Sequence, residues 1–151
     1  MTNTKAHSVG GLTLGDTWAT PDEVFKPLDA EFSFTLDPCA TAQNARCEKY
    51  FTEDDDGLSQ SWFAERVFMN PPYGKKIYDW VAKAHEEARK GALVVGLLPN
   101  ATGTSWFRAN VSGLSGSDLR FHRGRIPFIK PDGTKASPAF DSIIAVWRPF
   151  A

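Results

Sequence analysis

The chain has 151 residues, 42% hydrophobic and 23% charged, with a net charge of −1. That length suits one domain with a sizeable core, and the near-neutral charge excludes a uniformly basic nucleic-acid-binding surface, so any basic patch must be local. The longest apolar run, Ala92 to Leu98, is too short to span a bilayer; no export signal opens the chain, and Cys39 and Cys47 form neither a C-x-x-C pair nor a disulfide framework, so a reduced cytoplasm is the expected compartment.

Residues 1–15, polar and bearing Gly10, Gly11 and Gly15, are expected to form a loose tail, with residues 16–151 as a single domain. Thr20-Pro21 reads as a helix start, with Thr20 as cap, Pro21 at the first position and Glu23 in the first turn. Pro27 limits that helix to about one turn or kinks it. Phe32 to Leu36 alternates aromatic and polar residues and reads as a strand. It leads into Asp37-Pro38-Cys39-Ala40-Thr41-Ala42. An acid followed by small residues at the carboxyl end of a strand is where open α/β sheets hold ligands; an Asp-Pro turn after an edge strand is the other reading.

Gln43 to Glu48 suits a short helix and Lys49 to Thr52 a brief strand. The acids Glu53, Asp54, Asp55 and Asp56 read either as a solvated surface or as acceptors for a ligand's hydroxyls or amine, with Asp55 and Asp56 the better candidates. Val67-Phe68-Met69 is a strand, and Lys76 to Lys90 is the strongest helix, with Ile77, Val81, Ala84 and Ala88 at helical spacing and Gly91 as its stop. Ala92 to Leu98 reads as a buried parallel strand, so residues 67–98 make a βαβ unit. A second helix is expected over Thr102 to Asn110. Leu119 to Ile129 and Ile143 to Trp147 suggest an antiparallel pair at a sheet edge, joined by a polar loop. Residues 120–135 carry Arg120, Arg123, Arg125, Lys130 and Lys135 against the single acid Asp132. These lysines and arginines are either a solvated edge or phosphate contacts. The expected fold is α/β, mostly parallel, with an antiparallel C-terminal edge pair.

The most specialised stretch is Asn70-Pro71-Pro72-Tyr73, set between the Val67–Met69 strand and the strongest helix. Two prolines fix φ twice and remove two donors, and Pro71 drives Asn70 towards an extended conformation. The Asn70 amide oxygen and the Pro71 carbonyl are then two acceptors on a stiff turn, suited to an amine with two hydrogens. Tyr73 offers a face for a flat ring. An exocyclic amine on a heterocycle is a poor nucleophile because its lone pair is delocalised. Holding both hydrogens draws the nitrogen towards tetrahedral geometry and frees the pair for an in-line methyl donor. Positioning and electrostatics suffice, and no metal is expected. A base within a duplex must first be flipped out.

Asn70-Pro71-Pro72-Tyr73 resembles the catalytic motif of amino-methyltransferases, which act on adenine N6, cytosine N4 or glutamine amides. Asp37-Pro38-Cys39-Ala40 resembles the family's S-adenosylmethionine motif without its usual glycines, Thr20-Pro21 an upstream cofactor element, Asp56-Gly57-Leu58 the aspartate-x-leucine at the cofactor's adenine, and Gly124-Arg125-Ile126-x-Phe128 a late element of the group. Order and spacing from Trp18 to Trp147 resemble the short phage-type DNA N6-adenine methyltransferases (Dam). The resemblance implies a trimmed Rossmann-like sheet, because the Asp37–Asn70 interval is short for this fold. It also implies S-adenosylmethionine as cofactor and DNA with a flipped adenine as partner, in a phage or prophage modification setting and the bacterial host's cytoplasm. Asn70, Pro71, Pro72 and Tyr73 would be catalytic. Thr20, Pro21, Asp37, Pro38, Cys39, Ala40, Asp55 and Asp56 would line the cofactor side, and Lys75, Lys76, Arg123, Arg125, Lys130 and Lys135 would meet phosphates. Cytosine-N4 methylation, or a catalytically silent DNA-binding remnant, are the alternatives. No separate target-recognition domain of usual size fits, so the expected specificity is relaxed or short.

Overall fold

The computed structural model describes residues 7–9, 12–14, 18–101, 103–111 and 117–149. Strands β1 (His7–Val9) and β2 (Leu12–Leu14) pair antiparallel, so part of the expected loose tail is a strand pair; the rest of residues 1–15 lies outside the described residues. The central sheet has six strands: β3 (Leu36–Asp37), β4 (Lys49–Tyr50), β5 (Arg66–Met69), β6 (Leu93–Pro99), β7 (Ser117–Phe121) and β10 (Ser142–Trp147). Their order is β4-β3-β5-β6-β10-β7. The first four are mutually parallel, and β10 runs antiparallel to both β6 and β7. This is the expected mostly parallel sheet with an antiparallel edge pair. The loop between the edge strands carries its own short hairpin, β8 (Phe128–Ile129) with β9 (Lys135–Ala136).

Helix α2 (Ile77–Arg89) forms the β5–α2–β6 crossover, burying Ile77, Trp80, Val81, Ala84 and Ala88. Strand β6 is buried from Val94 onwards, as its unbroken apolar run requires. Helix α3 (Ser105–Asn110) is shorter than expected, and Thr102 lies outside the described residues.

Helix α1 (Asp22–Phe32) departs most from the sequence reading. It runs 11 residues through Pro27 because Val24, Phe25, Leu28 and Phe32 make a continuous buried stripe. Phe25 meets Phe68 of β5 edge-on at 5.0 Å. The hydrogen bond that Pro27 forfeits is outweighed by that packing. The expected strand from Phe32 is replaced by a helix end. Ser33 takes φ 53° and donates to the Asp29 carbonyl at 2.8 Å, while Phe34 N–H donates to Asp29 Oδ1 at 2.9 Å. Thr35 N–H then donates to the Arg66 carbonyl of β5 at 2.7 Å, and strand β3 starts at Leu36.

Between Asp37 and Arg66 no α-helix forms, which is the physical content of the trimmed fold. The expected helix over residues 43–48 is a set of turns instead. Thr41 N–H donates to Asn44 Oδ1 at 2.7 Å and Asn44 N–H returns to Thr41 Oγ1 at 3.2 Å; such side-chain bonds compete with helical ones. Among the described residues, no helix is long and apolar enough to cross a membrane.

Candidate active site

Strand β5 ends at Met69, and the two prolines that follow prevent its continuation. The Asn70 side chain therefore sits at the carboxyl edge of the sheet. Its Nδ2 donates to Thr20 Oγ1 at 3.1 Å, while its buried Oδ1 has no partner among the described residues. The Cys39 thiol donates to the Asn70 backbone carbonyl at 3.3 Å, tying the turn after β3 to the turn after β5. Asn70 and Pro71 share a small cavity with Trp18, Thr20, Asp37 and Cys39. Thr20 is not a helix cap: Pro21 occupies the N-cap position of α1 without a side-chain bond, and the Thr20 hydroxyl serves Asn70 instead.

Asp37 is 4% exposed at the end of β3. Its Oδ2 accepts from Arg46 N–H at 3.1 Å, and its Oδ1 is a second buried acceptor without a hydrogen-bond partner among the described residues. Burial pushes this carboxyl up to about 6, against the opposing pull of the Arg46 and Cys39 backbone N–H groups. An uncompensated buried acceptor is costly, and a donor or a cation placed here would relieve that cost.

Beyond Cys39, which lines both spaces, opens a cavity of about 480 Å³, within the usual range for small-molecule sites. One wall is Pro38, Cys39, Ala40, Thr41 and Ala42; the opposite wall is Thr52, Glu53, Asp54, Asp56, Gly57 and Leu58; Pro72, Lys76, Asp79 and Trp80 close the end. Gly57 explains how the two walls meet. A Cβ there would lie 2.1 Å from the Pro38 carbonyl oxygen and 3.0 Å from the Trp80 ring, so only glycine admits this approach. Trp62 backs Trp80 with a stacked ring at 6.2 Å and donates its indole N–H to the Gly57 carbonyl at 3.0 Å.

The structure redistributes several expected roles. Asp55 does not line the cavity; its Oδ2 accepts from Thr52 N–H at 2.9 Å and Thr52 Oγ1 at 3.0 Å, closing its own turn. Glu53 and Asp54 line it instead, beside Asp56, whose carboxylate accepts from Ser59 Oγ. Pro21 lines neither space. Lys76, expected on the phosphate side, borders the 480 Å³ cavity.

Tyr73 does not offer a stacking face: it is 1% exposed, its hydroxyl donates to the Leu97 carbonyl at 3.1 Å, and its ring packs at 5.5 Å from Phe140. Burying the ring and satisfying its hydroxyl on β6 hold it as a strut under the turn.

Arg123, Arg125 and Lys135 are exposed, and no ion pair among the described residues engages them. Arg120 is different. It pairs through both guanidinium nitrogens with Glu31 at 2.6 and 2.7 Å. The Lys130 amine lies 5.7 Å from the Trp18 ring, and Lys75 is exposed before α2. The β8–β9 hairpin is strapped to the site, since Ala19 N–H donates to the Ile129 carbonyl at 2.7 Å and Ile129 N–H returns at 3.0 Å.

Strand β5 thus ends in a stiff acceptor at the carboxyl edge of a mostly parallel sheet, beside a cavity of about 480 Å³. Residues 8–151 match the model of the family described as DNA N-6-adenine-methyltransferase (Dam), and the chain belongs to that family. It is 33% identical over 94 residues to the DNA N-6-adenine-methyltransferase of Escherichia phage T1, covering 61% of this chain and 39% of that protein. It is 32% identical over 117 residues to the DNA N-6-adenine-methyltransferase of Haemophilus phage HP1, covering 76% of this chain and 66% of that protein. The chain thus spans less than two thirds of the length of these relatives.

Proposed function

We propose that this chain transfers a methyl group from S-adenosylmethionine to N6 of adenine in DNA, as part of phage or prophage DNA modification, with relaxed specificity or a short site read by residues 120–138. The observation that carries this reading is the buried, unpartnered Oδ1 of Asn70, left free by the bond from its amide nitrogen to Thr20. A buried acceptor without a partner is stabilised only when a donor arrives, and an adenine amine brings two hydrogens.

The donor set fits the cofactor. Asp37 presents a second unpartnered acceptor, suited to a cationic group, and the Gly57–Pro38 approach shapes a cavity of about 480 Å³. Pro38, Cys39, Ala40, Asp54, Asp56 and Trp80 would hold the cofactor there; when bound, it supplies an electrophilic methyl group. The chain's own work is positioning. Asn70 Oδ1 and the Pro71 carbonyl take the amine hydrogens and favour a tetrahedral nitrogen. Cys39 and Thr20 fix Asn70 from its backbone and its side chain. Tyr73, sealed against Leu97 and Phe140, keeps the turn from yielding when the amine pulls on it. Lys75, Arg123, Arg125, Lys130 and Lys135 supply phosphate contacts.

Transfer of a labelled methyl group to plasmid DNA, followed by nucleoside analysis and site mapping, tests the reading. Label in N6-methyladenine is expected. Label in N4-methylcytosine, or DNA binding without transfer, overturns it, and a single long recognition sequence overturns the specificity.

A further inference from the structure

An amine held by Asn70 and Pro71 has to lose a proton once it is methylated, and neither of these groups can take it. An amide oxygen and a peptide carbonyl accept a hydrogen bond but are too weakly basic to keep the proton. The described residues that line the small cavity with Asn70 and Pro71 include three titratable side chains, Asp37, Cys39 and Arg46. Arg46 is already a cation, paired with Asp22 and lying 4.3 Å from the Phe25 ring centroid. Burial pushes the Cys39 thiol well above the usual thiol range, and its proton is engaged by the Asn70 carbonyl. Asp37 is left.

Strand pairing puts Asp37 beside the turn. Leu36 of β3 is level with Val67 of β5 in a parallel ladder. Asp37 is therefore level with Phe68, and Asn70 follows two residues later on the same face. Asp37 Oδ2 accepts from Arg46 N–H, whereas Oδ1 is buried and has no hydrogen-bond partner among the described residues. The 480 Å³ cavity lies beyond Cys39, which lines both spaces. A nitrogen bonding to a methyl group that arrives from that cavity bends its hydrogens away from the methyl, towards the space that Asp37 lines.

Resting on the reading that an adenine amine is the methyl acceptor, we infer that Asp37 Oδ1 is the base that takes the proton from N6. The nitrogen gains its bond to the methyl group as the methyl's bond to sulfur breaks, sulfur keeping that electron pair. The positive charge growing on nitrogen is discharged as one hydrogen passes to Oδ1 and the N–H bonding pair returns to nitrogen. Asp37 ends the step as a neutral carboxyl and yields its proton to solvent when the product leaves. Burial makes it a better base than a carboxylate in water, raising it to about 6 against the pull of the Arg46 and Cys39 backbone N–H groups and the Arg46 guanidinium. Other neighbours add little charge. Asp22 of α1 is paired with Arg46, the Cys47 thiol is pushed up to about 12, and Trp18, Ala19, Thr20 and Phe68 do not titrate. At neutral pH the carboxylate is thus ionised and able to act, with a basicity near that suited to proton transfer.

The test is single-turnover methyl transfer to plasmid DNA at saturating S-adenosylmethionine, in light and deuterated water, at pH values on both sides of 6. Wild type and Asp37→Asn are compared, with calorimetric cofactor binding beside them. The wild-type rate is expected to fall as pH drops through about 6 and to slow in deuterated water. Asp37→Asn is expected to lose about 100-fold at neutral pH, with a flat pH profile, no slowing in deuterated water and cofactor affinity within a few-fold of wild type. Wild-type rates indifferent to pH and deuteration overturn the proposal without recourse to any variant. An Asp37→Asn protein that keeps its rate at saturating cofactor and loses only affinity also overturns it, and makes Oδ1 a seat for the cofactor's ammonium group instead. Both results leave the methyltransferase reading standing, whereas no transfer to any DNA by wild type overturns both.

Discussion

The amide nitrogen of Asn70 donates to the hydroxyl of Thr20 at 3.1 Å, and this bond anchors the side chain whose buried oxygen is proposed to take the amine. A hydroxyl can partner either end of an amide, so what Thr20 supplies is a fixed anchor for the Asn70 side chain. Replacing Thr20 with Val removes that anchor with little change in volume. Transfer is expected to slow about 10- to 100-fold with cofactor affinity nearly unchanged, and Thr20→Ser is expected to retain most activity. Steady-state kinetics beside calorimetric cofactor binding measure both; equal rates for Thr20→Val and wild type refute the assignment.

Asn70→Ala removes the acceptor itself. Loss of one preorganised group at a reacting centre costs about 100- to 1000-fold in turnover, while cofactor affinity is expected to hold within a few-fold. A single-turnover assay with saturating DNA checks this, and a full rate in the variant eliminates Asn70 from the chemistry.

Gly57→Ala places a methyl group against the Pro38 carbonyl and Trp80. The walls must part, with an overpacking cost of about 1–3 kcal/mol. A lower denaturation midpoint and weaker cofactor binding are expected together. Stability and affinity both equal to wild type would show that the two walls do not form one unit.

Asp37 makes the cofactor-free protein sensitive to pH. Its carboxyl is raised from 3.8 to about 6 by burial, so between those values the folded chain binds more protons than the unfolded one. This contribution to stability is fully present below 3.8 and is lost as pH rises through about 6, a change of ~3 kcal/mol. The stability difference between wild type and Asp37→Asn should therefore shift in favour of the variant over this interval. Denaturant titrations across the range measure it, and a constant difference counts against the buried carboxyl.

Arg125→Ala should lower the slope of log affinity against log salt by about 1. Arg120→Ala should leave that slope unchanged, because Glu31 already neutralises Arg120 through two hydrogen bonds. Fluorescence anisotropy on duplex DNA over a salt series distinguishes the two, and a change of slope for Arg120→Ala refutes the distinction.

The β5–α2–β6 crossover and strand β10 were legible because their apolar patterns match a single period, whereas β7 ends at Phe121, short of the Leu119 to Ile129 stretch that suggested the edge strand. Other features depended on partners remote in sequence. Asn70 and Thr20 stand 50 positions apart, and nothing near either residue announces the bond. Tyr73 suits a stacking surface and a core equally well by local pattern; the Leu97 carbonyl and the Phe140 ring decide for the core. Four consecutive acids look alike in a sequence, and only the Thr52–Asp55 turn shows which one faces away from the cavity. The extent of α1 was hidden because Asp29 ends it with both its carbonyl and its carboxylate, while the aromatic alternation beyond imitates a strand.

The two backbone bonds between Ala19 and Ile129 make the residue preceding Thr20 an extra rung of the basic hairpin. The hairpin cannot shift without moving Thr20 or breaking that rung, and Thr20 cannot shift without releasing the Asn70 amide. Under the proposed function, grip on the nucleic-acid backbone and aim of the acceptor are one mechanical linkage, although the hairpin and the β5 turn lie in separate parts of the chain.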